Sequence, residues 1–193
     1  MNTADAQREM RTRFVGGFYG QLVSGLLWVG VAALAEWRSP RAAIAAMVVG
    51  GFFIFPCTEL LVRLAGDRRP WNAANAFYDL GMQVAFVLPL SMPLLLPVGL
   101  YRLNWFFPAM MVLLGAHYLP FVFLYGMRMF ALLTILLVAG GLVIAQFWSS
   151  SFSVGAWYTA VTLLVFAGVG RAIAQRDVRE AAALTHGAAP SGQ

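Results

Sequence analysis

A chain of 193 residues that is 61% hydrophobic and only 11% charged has far more apolar surface than a soluble core of this size can bury. Its net charge of +5 rests on thirteen arginines and no lysine; they lie beside apolar runs, where lipid headgroups and membrane orientation account for them without nucleic acid. The single cysteine, Cys57, excludes an intramolecular disulfide framework and lacks the partners of a thiolate metal site.

The expected fold is all-α, a polytopic bundle of six transmembrane helices, because several runs approach the roughly 20 residues needed to cross about 30 Å of hydrocarbon. Residues 1–13 form a basic arm holding Arg8, Arg11 and Arg13. The first span is predicted over 14–35; a cleavable signal peptide competes, since Ala33-Leu34-Ala35 mimics a cleavage site, but the run is long for one. Gly16, Gly20 and Ser24, four apart, make a small-residue stripe that lets another helix approach closely.

The second span, 42–64, follows Ser39-Pro40 and carries Pro56, Cys57, Glu59 and Arg63 in its last third. The connector 65–75, with Asp67, Arg68 and Arg69, is the longest loop. In the third span, 76–98, Asp79 and Gln83 lie near the start and Pro89, Pro93 and Pro97 follow at four-residue intervals. Each proline removes a backbone donor and crowds the preceding turn, which predicts a kinked helix. The fourth span, 103–125, and the fifth, 129–147, are joined by Gly126-Met127-Arg128, a turn short enough to make them antiparallel neighbours. Serines 149–151 precede a sixth span over 152–170. The membrane domain thus covers 14–171, and the tail 172–193 is expected to start as an interfacial helix and end disordered. The chain has no convincing internal repeat.

With the amino terminus cytoplasmic, Arg8, Arg11, Arg13, Arg63, Arg68, Arg69, Arg128, Arg171, Arg176 and Arg179 lie inside, against Arg38, Arg41 and Arg102 outside. That asymmetry predicts both termini in the cytoplasm, and the absence of lysine favours a GC-rich bacterial source, whose inner (plasma) membrane would hold the bundle. Trp37, Trp71, Trp105 and Trp148 fall at predicted span ends, where amphipathic rings prefer to sit.

The ionisable groups inside the spans, Glu59, Arg63, Asp79 and His117, all fall in the cytoplasmic half. A charge in hydrocarbon costs roughly 2.5–3.5 kcal/mol on insertion scales, so such groups should pair, face the interior or reach the interface. Glu59 and Arg63, four apart, could pair locally with Arg63 extended to the headgroups; the sharper reading has Glu59, beside Pro56, hold a proton or cation. Asp79 suits an amino-terminal helix charge, with Asn75 or Asp79 as a cap, and Gln83 suits an interhelical hydrogen bond. His117 sits in an apolar helix one turn before Pro120, which should loosen that helix; its imidazole either bonds a carbonyl or handles a ligand or proton. Hydrolase, phosphate-loop, dinucleotide and metal motifs are absent from the sequence, so no catalytic residue, metal or cofactor is assigned.

The motif Gly115-Ala-His117-x-Leu-Pro120-x3-Leu-Tyr125, with Phe55-Pro56-Cys57-Thr58, resembles a family of small bacterial multi-span integral membrane proteins of unknown function. The resemblance runs from the basic arm to the end of span six. It implies a helical membrane protein and carries over no site residue.

The expected function is binding or movement of a small solute, ion or proton through a polar site, with Glu59 and His117 primary and Asp79, Gln83 and Arg63 in support. The alternative is a membrane interaction or assembly protein, whose partners would be a second copy or another membrane chain besides lipids; it predicts exposed Gly16, Gly20 and Ser24. A lipid-acting enzyme is the least supported.

Overall fold

The computed structural model describes residues 2–65, 74–148 and 150–187, with side chains through residue 180. The loop 66–73 with Asp67, Arg68, Arg69 and Trp71, Ser149, the His186 side chain and the end of the tail, 188–193, lie outside that description. Every regular element among the described residues is helical, and six helical runs are long and apolar enough to cross a membrane.

The basic arm is a helix, α1 (Thr3–Arg13), capped by the Asn2 side chain, which accepts from the Asp5 amide. It is separated from α2 (Phe18–Trp37) by a 3-10 turn over Val15–Gly17. Val15, Gly16 and Gly17 all have positive φ there, so the chain turns α1 across the end of the bundle instead of continuing it as one rod. Gly16 serves a second purpose. A Cβ on it would lie 2.5 Å from the Gly170 carbonyl oxygen, so this contact admits no side chain.

Next come α3 (Pro40–Leu64), with Pro40 in its first turn and Ser39 as its cap, and α4 (Phe77–Ser91). A 3-10 turn at Met92–Leu94 separates α4 from α5 (Leu95–Tyr101). The prolines of the third span therefore act unequally: the helix breaks around Pro93, while Pro89 and Pro97 sit within helices, as does Pro56 in α3. Then follow α6 (Phe106–Tyr118) and α7 (Phe121–Tyr125), divided at Leu119-Pro120. α8 (Met129–Phe147) comes after a left-handed Gly126, and α9 (Val154–Gly187) runs unbroken far past residue 170.

The centre is made by α2 against α9, α6 against α8, and α8 against α9. Trp28, Phe107, Phe130, Leu133, Leu137 and Leu163 are fully buried there, with the Trp28 and Phe107 ring centroids 5.7 Å apart. Gly115 brings α6 close to α8, since a Cβ would lie 2.7 Å from Val138 and 3.1 Å from the Thr134 carbonyl oxygen; the Thr134 hydroxyl donates back to the Gly115 carbonyl at 3.0 Å. By contrast, α3 is attached chiefly to α2, and α4 to α6, α1 and α7, with at most glancing contact between α3 and α4. Both are mostly exposed, as helices facing lipid would be.

Candidate functional site

Because α3 and α4 hang on different neighbours, a space remains between them and the central helices. It is a cavity of about 690 Å³, walled by α2, α3, α4 and α6 and closed at one end by α7, the Val15–Gly17 turn and Met10 of α1. Its polar groups are not evenly spread. Tyr19, Gln21 and Ser24 at the start of α2, Thr58 and Glu59 near the end of α3, Tyr78 at the start of α4, and His117 at the end of α6 all lie toward the α1 end. Trp28, Met47, Met92, Met110 and Leu114 line the deeper part. The cavity is amphipathic along its length.

Its polar end has a defined floor and cover. Tyr118, Phe121, Tyr125 and Phe130 stack with centroid separations of 5.4–6.1 Å. Above them α1 is fastened through Glu9, which accepts from the Tyr78 hydroxyl at 3.2 Å and the Asn75 amide at 3.1 Å. Asn75 is buried; its Nδ2 also reaches the Ala6 carbonyl, and its Oδ1 accepts from the Phe77 amide. Gln7 and Arg11 donate to the carbonyls of Phe123 and Tyr125 in the last turn of α7, where the Phe123 carbonyl also accepts from the Gly126 amide. Arg13 lies over the rings of Phe14 and Tyr78, 5.7 and 5.4 Å from their centroids. The arm expected as a simple orienting charge is thus the lid of the cavity.

Of the ionisable residues singled out by sequence, Glu59 and His117 line this cavity, one from α3 and the other from α6. Glu59 is partly buried and has no hydrogen-bond or ion-pair partner among the described residues; no pair with Arg63 forms, because Glu59 faces the cavity while Arg63 is exposed. His117 lies against the Val84 backbone of α4, and among the described residues its Nδ1 is buried without a hydrogen-bond partner. The backbone beside the ring thus belongs to a neighbouring helix, and not to the turn loosened by Pro120. Asp79 and Gln83 are exposed and do not line the cavity, and Asn75 caps α4. Among the described residues no group of three His, Cys, Asp or Glu side chains could hold a metal.

Two contributors were not singled out by sequence. Gln21 is 2% exposed, and neither amide atom has a partner among the described residues. An amide one turn into an apolar span was a legible signal, of the kind recognised at Gln83. Glu9, the lid's anchor, was hidden by the surrounding arginines. Conversely, Gly16 and Ser24 are buried within the chain, which removes the exposed stripe that favoured docking of another protein.

The resembling motif now has physical content. Gly115 admits α8, His117 faces the cavity, Pro120 ends α6, and Tyr125 contributes both ring and carbonyl to the lid contact. Neither a curated protein nor a solved structure matches this chain. A family model does match it, over residues 3–171, and the chain belongs to that family of unknown function, DUF7010.

Proposed function

We propose that this chain is a multi-pass protein of the bacterial inner membrane, both termini cytoplasmic, that binds a small amphipathic solute in the cavity between α3 and α4. The single observation that carries the reading is the cavity itself: about 690 Å³, apolar at depth, polar at the lid end. Such volume and lining suit a drug-sized ligand with one hydrogen-bonding end. They suit a bare ion poorly, since most of the wall offers hydrocarbon and aromatic faces in place of a hydration shell. Glu59, Gln21 and His117 Nδ1 receive the polar end, and Trp28, Met47 and Met110 receive the apolar body. Entry is lateral, through the gap where α3 and α4 scarcely touch. The turn at Met92–Leu94 gives the α4 wall a joint for moving the solute on.

Both termini inside is supported by the ends of the helices. α1, the α7–α8 turn and the extension of α9 lie at the arginine-rich end, and Arg38, Arg41 and Arg102 at the other. The test is photolabelling in lipid nanodiscs with a neutral apolar diazirine probe, mapped by mass spectrometry. Adducts on buried Met110 and partly buried His117 that an unlabelled competitor removes are expected. Adducts confined to lipid-facing Leu90 and Leu100, and not competed, would overturn the reading.

A further inference from the structure

Resting on that reading, we infer that the solute is a lipophilic cation: a protonated amine or a quaternary onium group on an aromatic or aliphatic body. Among the described residues Glu59 is the only carboxylate lining the cavity, and no arginine lines it. Two polar groups that share the cavity lining with it are already committed. The Thr58 hydroxyl donates to the Ile54 carbonyl at 2.7 Å, and the Tyr78 hydroxyl donates to Glu9. Among the described residues Glu59 is left with no hydrogen-bond or ion-pair partner. A carboxylate held among apolar walls is costly alone, and a ligand cation removes that cost where a neutral ligand does not and an anion adds repulsion.

The surroundings of Glu59 suit the same charge. Phe55 and Phe52 precede it by four and seven residues on one face of α3, and both line the cavity. Aromatic faces attract cations and favour weakly hydrated ones. Gln21, buried with its amide unpartnered, supplies a carbonyl oxygen as a second acceptor. Beside it Gly20 leaves open space, since a Cβ there would meet nothing within 4 Å.

Tetraphenylphosphonium and tetraphenylborate, nearly equal in shape and opposite in charge, test the inference by equilibrium dialysis of the full chain in a non-ionic detergent. Cavity binding is taken as the part lost in Gly20→Phe, which fills that space. The expected result is at least tenfold tighter cavity binding of the phosphonium than of the borate. Glu59→Gln should weaken the phosphonium at least tenfold, and Glu59→Asp should keep the preference. Equal binding of the two ions, preference for the borate, or wild-type phosphonium affinity in Glu59→Gln would overturn the inference. If the neutral diazirine probe still labels the cavity in those cases, the solute-binding reading stands; if no probe of any charge binds, both fall.

Discussion

Arg11 Nε lies 3.0 Å from Asp177 Oδ2, tying the amino-terminal helix to the extension of α9 beyond the membrane-length part of the bundle. The same guanidinium donates from Nη1 to the Tyr125 carbonyl at 2.7 Å. One side chain therefore joins α1, α7 and α9 at the polar end of the cavity.

The two bonds of Arg11 should contribute unequally. Asp177 is 41% exposed, so removing it with Asp177→Ala should cost less than about 1 kcal/mol. Arg11→Ala also strips a helix-end carbonyl of its donor and should cost more, roughly 1–3 kcal/mol. Thermal melting of the two variants in detergent checks the order.

The lid should loosen when its anchor is cut. Glu9→Ala leaves the Asn75 amide and the Tyr78 hydroxyl without that acceptor. A cysteine placed at Gly81, which lines the cavity beside Met10 of α1, in a background where Cys57 is replaced by serine, should react slowly with a water-soluble maleimide while Glu9 is present. It should react several-fold faster in Glu9→Ala. Equal rates would show that α1 does not cover the cavity.

Close helix contacts predict two intolerant glycines. Gly115→Ala drives a methyl against Val138 and the Thr134 carbonyl, and should destabilise by about 1–3 kcal/mol as overpacking does. Gly16→Ala should be worse, since backbone blocks the new methyl and φ is +63°. Gly20→Ala, with open space beside it, should be neutral or mildly stabilising. Melting temperatures of the three variants read the ranking directly.

Topology is testable without a ligand. A fluorescent-protein fusion should fluoresce at either terminus, and an alkaline phosphatase fusion should be inactive at both. Activity of the phosphatase at either end would reverse the assignment drawn from the arginines.

The helical spans were legible because hydrocarbon thickness and backbone satisfaction leave few ways to arrange runs this apolar. Glu59 and His117 were legible for a related reason: an ionisable side chain in an apolar helix needs an explanation that sequence alone can demand. What sequence could not supply was facing. Asp79 and Gln83 read much like Glu59 by depth, yet they turn away from the cavity, because α4 buries Tyr78 and Val84 on its inward side, Tyr78 against Glu9 and Phe14. The lid was equally hidden. A basic arm satisfies the orientation rule whether it is free or folded, and only three successive positive φ angles at Val15, Gly16 and Gly17 turn it over the bundle.

Solute binding requires occupancy of the cavity between α3 and α4, and the most direct measurement compares competable photolabelling by the neutral apolar probe in wild type and Gly20→Phe. If a solute occupies this cavity, Gly20→Phe melts at or above the wild-type temperature while competable labelling of Met110 and His117 falls at least tenfold. Undiminished competable labelling in a folded Gly20→Phe protein would contradict it.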